Sequence, residues 1–284
     1  MRASLPTPPF DREGLSRAFG FQVPTALVSV LNAICDECET AALAYDRVDG
    51  LLGWLLADSE QRYQQTPAEL FPIAATGVDG GHFGYVIHAP ELGASDYPIA
   101  RFEPMDGEGA YLLGATTVEA IETQISTNML DLGSDDPAYP SSFQWWPNAR
   151  SRLAELGIEP DLSKANRNYV GGDGIAAQPP FLEGWRHLQS SDGVGVFAPS
   201  ELFNPSIDHP VGEPRDISSV IRTSLEQKSY PATALWLLRE CYWHVWSGGT
   251  HDVAEICRAM MDVYEHLDRP SLAAVVEQRI SRFF

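Results

Sequence analysis

The chain has 284 residues, 44% hydrophobic and 20% charged, with 39 Asp and Glu against 19 Lys and Arg and a formal net charge of -20. That much apolar material excludes disorder throughout, and the acidic balance disfavours nucleic acid and anionic membranes as partners while favouring a basic protein. Four cysteines are too few for a disulfide scaffold, the first ten residues carry three prolines, and no apolar run is long enough to span a bilayer, so a cytoplasmic location is expected.

Pro24 opens a helical pattern in which Leu27, Leu31, Ile34 and Cys38 recur at spacings of four, three and four. With Val28 and Cys35 alongside, this predicts one amphipathic helix to about Tyr45. Strand-like runs follow at Phe71–Thr76, His82–His88, Pro98–Glu103 and Ala110–Leu113, each bounded by Gly, Pro or Asp. Their spacing predicts an antiparallel meander. Thr116 and Glu119 form a T-x-x-E capping box ahead of Val118, Ile121 and Ile125, so a second helix closes the sheet. Residues 131–215 are rich in Gly, Pro and Asp and read as a connecting segment with one hairpin around Gly184 to Ala198.

From Asp216 the pattern becomes helical. One helix starts at Pro231, with Leu235, Leu238, Tyr242 and Val245 on a face, and stops at Gly248-Gly249. A second, entered at Thr250 with Asp252 in its first turn, carries Val253, Ile256, Cys257, Met260, Tyr264 and Leu267. Pro270 begins a third with Leu272, Val275, Val276, Ile280 and Phe283. The order predicts an α+β fold: an antiparallel sheet flanked by helices over residues 1–130, the connecting segment 131–215, and a small C-terminal helical bundle over 216–284.

The charge is uneven. Residues 79–136 hold eleven acids, Asp79, Glu91, Asp96, Glu103, Asp106, Glu108, Glu119, Glu122, Asp131, Asp135 and Asp136, against the single base Arg101. Such a run serves solubility or forms a docking surface. As a docking surface it would steer a basic partner, with Asp79, Glu91, Asp96, Glu103 and Asp106 as contacts and Tyr85 and Tyr97 as aromatic anchors.

The remaining constellations favour structural roles. Cys35-Asp36-Glu37-Cys38 is a C-x-x-C, but about three turns into the expected helix its thiols lack the activation of a helix N-terminus. Cys241 and Cys257 lie on apolar helix faces elsewhere, so no zinc set forms. His82 and His88, on one strand, would be separated by on the order of 20 Å, too far to share an ion. No metal or cofactor is expected. Nucleophile-elbow, Walker and dinucleotide motifs are missing, and the only lysines are Lys164 and Lys228. Trp145-Trp146 beside Phe143 forms either a plug over the core or an interface anchor.

The stretch Thr66-Pro67-Ala68-Glu69-Leu70-Phe71-Pro72-Ile73-Ala74, continuing through Gly77, Asp79-Gly80-Gly81, Gly84-Tyr85 and Asp96-Tyr97-Pro98-Ile99, resembles the SUKH superfamily. That family includes fungal cell-wall-synthesis regulators and bacterial immunity proteins, and the resemblance covers about residues 15–128. Asp49-Gly50 stands nearest the place of the family's Asn-Gly pair after the first helix, and the chain beyond residue 130 lies outside the family core. The resemblance implies a non-enzymatic immunity or regulatory adaptor that binds a basic protein such as a toxin domain. Two other readings are a hydrolase using carboxylates near Asp79 and Asp96, and a structural adaptor binding through its C-terminal helices.

Overall fold

The computed structural model describes residues 6–57, 62–105, 109–131, 144–165, 182–206, 229–245 and 253–284, together with Glu60, Arg222, Thr223 and Glu226. Asp106, Phe143, Lys228 and the expected helix-boundary residues Gly248, Gly249, Thr250 and Asp252 lie outside the described residues.

The chain opens with a helix that the periodicity did not predict. Asp11 accepts a hydrogen bond from the Gly14 amide at 2.7 Å to start α1 (Arg12–Phe19), and Gly20, at φ 74°, ends it. Pro24 then starts α2 (Thr25–Ile34). The single helix expected to reach Tyr45 is two. Cys35 caps α2, Glu37 takes φ 61°, and Thr40 accepts from the Leu43 amide at 3.2 Å to restart the chain as α3 (Ala41–Leu52). Arg47 holds the corner, donating to the Asp36 carbonyl at 2.5 Å while its guanidinium lies 5.0 Å over the Trp145 ring. The apolar period hides this break because both helices face one core: Leu27, Leu31, Ile34, Ala44, Val48 and Leu51 are all fully buried. Asp49-Gly50 falls inside α3, and Gly53, at φ 63°, is the residue that ends it.

Five strands follow in an antiparallel meander: β1 (Leu55–Leu56), β2 (Leu70–Ala75), β3 (His82–Val86), β4 (Ile99–Glu103) and β5 (Gly109–Gly114). Four match the expected runs, and β1 is too short to show a period of two. The Thr116 hydroxyl accepts from the Glu119 amide at 3.2 Å and the Glu119 carboxylate from the Ala115 amide at 2.9 Å, starting α4 (Thr117–Asp131). The connecting segment contributes α5 (Trp146–Glu155) and the expected hairpin, β6 (Trp185–Leu188) with β7 (Val196–Pro199). Three C-terminal helices complete the α+β fold: α6 (Pro231–Val245), α7 (Val253–His266) and α8 (Pro270–Phe283).

Both faces of the meander are covered. Phe71, Phe83, Tyr85, Ile99 and Leu113 join the main core with α2, α3 and α4. Leu70, Val86, Ala100, Phe102 and Ala110 form a second cluster closed by Val194 and by Trp243 of α6. Leu112 of β5 packs against this second cluster. Alternation along β5 places Ala110 and Leu112 on this face and Tyr111 and Leu113 on the other, and a bulge between Ile99 and Ala100 pairs Ile99 with Gly114 and Ala100 with Leu112.

The loop between β6 and β7 seats the hairpin on the sheet edge. The Ala110 amide donates to the Asp192 carbonyl at 2.8 Å. Gly193, at φ 80°, lies so close that a Cβ there would stand 2.1 Å from the Ala110 oxygen. Gly193→Ala therefore combines backbone strain with a clash against β5. It should lower stability in chemical denaturation by about 2 kcal/mol or more, and an unchanged midpoint would mean that the loop is not seated there.

Candidate functional site

The described acids among those singled out from the sequence do not form one surface. Asp79 and Glu103 sit at the end of the sheet that carries the β2–β3 turn, and Glu91, Asp96 and Tyr97 sit at the other end, beyond the five residues of β3. That strand alone separates them by on the order of 17 Å. Asp79 is exposed in the turn at φ 48°. Glu103 is 7% exposed and ion-paired with Arg101. The Asp96 carboxylate accepts from the Thr117 amide at 3.0 Å and the Thr117 hydroxyl at 2.6 Å, so it caps α4. Glu91 accepts from the Ser271 amide at 2.9 Å in the first turn of α8.

Tyr85 cannot serve as an exposed anchor. It is fully buried, its hydroxyl lies 2.8 Å from Thr117 Oγ1, and burial raises its pKa well above the ordinary value. Tyr97 is half-buried and accepts from the Ala94 amide at 2.9 Å. Asp79 and Asp96, the carboxylates of the hydrolase reading, lie at opposite ends of the sheet and do not converge on one substrate.

Cys35 and Cys38 lie in the α2–α3 corner rather than within a helix. Both are free thiols, and burial, then the neighbouring Cys38, pushes Cys35 up to about 12. The corner borders a cavity of about 730 Å³ whose one basic lining residue, Arg152, is already paired with Asp36. Among the described residues no group of three or more His, Cys, Asp or Glu could hold a metal ion. His82 bonds the Gly80 carbonyl at 2.9 Å and lies 3.2 Å from Thr66 Oγ1. His88 lies beyond the end of β3 against His187 and Phe197. Trp146 is buried and Trp145 packs under Arg47, so the pair plugs the core.

Buried charge concentrates where Glu60 and residues 62–69 meet the C-terminal helices. Glu69, just before β2, is fully buried. It stands 3.0 Å from Arg239 of α6 and accepts from the Tyr264 hydroxyl of α7 at 2.7 Å. Arg239 also binds Asp192 of the hairpin loop at 2.5 Å. Burial opposes the Arg239 charge, but Asp192 and Glu69 outweigh it and raise its pKa. Arg269 donates to the Phe197 carbonyl at 2.5 Å, and Arg279 donates to the Thr66 carbonyl from α8. Glu69 thus acts on Arg62, Arg239, Arg269 and Arg279 together, while only Arg239 is in ion-pair contact with it. Glu69 Oε2 and Arg269 Nη1 are buried with no hydrogen-bond partner among the described residues.

Above this layer lies an open cleft. A cavity of about 390 Å³ is lined by Glu60, Arg62, Tyr63, Val275, Gln278, Arg279, Arg282 and Phe283. A neighbouring space of about 490 Å³ shares Glu60, Arg62, Tyr63, Arg282 and Phe283 and reaches Gln64, Gln65 and Met105. At its rim the β2–β3 turn gathers exposed apolar side chains. A Cβ on Gly77 would stand 2.9 Å from Leu55, and one on Gly80 would stand 2.7 Å from Tyr63. Leu55 is 36%, Tyr63 42%, Val78 63% and Met105 68% exposed. The sequence held no sign of either feature, because the apolar group comes from turns without periodicity and the cleft joins Glu60, Arg62 and Tyr63 to residues of α8 such as Arg282, 222 positions from Glu60.

No protein-family model matches the chain, and no curated protein matches it. No helix among the described residues is long and apolar enough to cross a membrane.

Two outcomes follow from this geometry. Glu69→Gln removes the one carboxylate shared by four guanidiniums and should destabilise the fold by about 3 kcal/mol or more, read by denaturant unfolding. For His82, burial lowers the pKa from 6.5 to about 4. The unfolded chain then binds the proton first, so this contribution is complete above pH 6.5 and is lost as the pH falls toward 4. It amounts to about 3 kcal/mol. His82→Gln should therefore lose less stability than the parent between pH 7 and pH 4, and parallel curves would remove His82 as the cause.

Proposed function

We propose that the chain is a non-enzymatic protein-binding module of SUKH-like architecture, acting as an immunity or regulatory adaptor for a basic protein partner. The observation that carries this reading is the exposed apolar group Leu55, Tyr63, Val78 and Met105, gathered at one end of the sheet beside an exposed acid, Asp79. Contiguous exposed apolar side chains mark interaction surfaces, and Tyr and Met are enriched in them. The order of N-terminal helices, antiparallel meander and capped closing helix agrees with the family pattern, and the net charge of -20 favours encounter with a cationic surface.

The contact surface in this proposal is the β2–β3 turn end, not an open acidic sheet face, because both sheet faces are packed. Binding through the C-terminal helices has less support, since Leu235, Leu238, Val253, Ile256, Met260, Leu272 and Val276 are buried within the molecule. Affinity capture with mass spectrometry identifies the partner, and stopped-flow kinetics then test the surface. The association rate should fall as ionic strength rises, and Asp79→Asn, which tolerates the left-handed backbone, should lower it at low salt. Val78→Ala with Met105→Ala should raise the dissociation rate about tenfold. A rate indifferent to salt and to all three substitutions would place the interface elsewhere.

A further inference from the structure

We propose that the cleft between residues 60–65 and α8 binds an organic phosphate. Its phosphoryl group would sit among Arg62, Arg279 and Arg282, and its planar body would lie against Tyr63 and Phe283. This assignment is independent of the protein-partner reading.

The first ground is charge. Three guanidiniums line one cavity of about 390 Å³ in which Glu60 is the only carboxylate among the described residues. None of the three forms an ion pair with a described carboxylate. Their hydrogen bonds are to groups other than carboxylates: Arg62 donates to the Pro67 and Ala68 carbonyls, Arg282 to the Glu60 carbonyl, and Arg279 to the Thr66 carbonyl as well as to the Tyr242 and Cys257 side chains. Those bonds fix the side chains in place and leave further N–H donors on each, since a guanidinium carries five. Burial, then the adjacent Arg279 charge, lowers the Arg62 pKa to about 9. It remains cationic at neutral pH, and a dianion in the cleft would relieve the repulsion.

The second ground is that the layer beneath supplies only part of that relief, although Glu69 acts on both Arg62 and Arg279. Glu69 is already held by Arg239 and Tyr264, and it also faces the buried Arg269. Positive charge therefore exceeds negative charge on the cleft side of this layer. The overall charge of -20 does not cancel this, because distant surface acids are screened over about 8 Å at physiological salt, whereas groups inside a cleft act at contact range.

The third ground is shape. Guanidinium forks match phosphate oxygens, and here they come from a loop and from two positions three apart on α8, so they surround an anion rather than flank it. Tyr63 stacks on His82 with one face, at 6.1 Å and 13°, and is 42% exposed, which leaves ring surface toward the cleft. Phe283 lines the same space, and Gln64, Gln65 and Gln278 offer amides to ring heteroatoms. Cavities of about 390 and 490 Å³ fall in the range that holds small ligands. These features together fit a ligand of nucleoside monophosphate size.

Calorimetric titration of the full chain at constant ionic strength tests this, with AMP, UMP, inorganic phosphate and adenosine as probes. The monophosphates should bind with Kd at or below about 1 mM, inorganic phosphate about tenfold more weakly, and adenosine not measurably. Arg282 and Tyr63 are exposed, so their variants keep the fold. Arg282→Gln should weaken both monophosphates and inorganic phosphate about tenfold, whereas Tyr63→Ala should weaken the monophosphates and leave inorganic phosphate unchanged. Absence of monophosphate binding, equal affinity for inorganic phosphate and the monophosphates, or undiminished binding by Arg282→Gln would each overturn the proposal. A failure of the protein-partner reading would leave these titrations unaffected.

Discussion

A carboxylate removed from water must meet positive charge, and the way Glu69 meets it organises this molecule. The residue stands at the entrance to β2, yet Arg239 and Tyr264, its partners, belong to helices near the other end of the chain. Arg239 carries the link on to Asp192, which also accepts from the Ser190 hydroxyl and the Val194 amide and so shapes the hairpin loop. Sheet, hairpin and C-terminal helices are thereby registered by one chain of charges. A buried ion pair adds little net stability relative to an apolar replacement, but losing one member leaves a charge stranded. The arrangement therefore selects one way of docking these elements more than it strengthens the docking.

The same economy of charge explains why the described acids of a strongly acidic stretch of sequence produce no broad acidic face. Asp96 and Glu91 satisfy amides at helix starts, Glu119 completes a cap, and Glu103 pairs with Arg101. Local excess of negative charge in the sequence became distributed service at backbone ends. What remains exposed at the β2–β3 turn is a mixed surface, with apolar side chains beside Asp79 and an arginine-lined cleft that also holds Glu60.

Much of the fold was legible from the residues. The strands announced themselves through Gly, Pro and Asp at their ends, the closing helix through Thr116 and Glu119, and the C-terminal helices through Pro231, Pro270 and a regular apolar period. The break at Cys35 to Thr40 was not, because Leu27, Leu31, Ile34 and Cys38 keep the period across it and the only signals of it are Thr40 as a cap and Arg47 as a brace. Asp11 and Gly20 bracket α1 by their side-chain and backbone chemistry, although its short apolar pattern is unremarkable. The candidate site was least legible. Arg62 and Arg279 read alone as surface cations, and only tertiary structure brings them to one cavity. Tyr85 failed as an anchor because both faces of β3 are packed, which a count of nearby acids ignores.

The bonds from residues 64–69 to the C-terminal helices cross 178 residues between Tyr242 and Gln64, 195 between Tyr264 and Glu69, and 213 between Arg279 and Thr66. On the ribosome, chain synthesis is vectorial, so the meander emerges long before the groups that neutralise and cover it. Until α6 to α8 are made, Glu69 lacks its cations and the Leu70, Val86, Phe102 face lacks its lid. Contacts this distant slow folding and prolong the exposure of strand edges and apolar surface. The nascent chain thus carries a period of vulnerability set by its own topology, during which chaperone binding competes with aggregation, and it ends only when the last helix arrives.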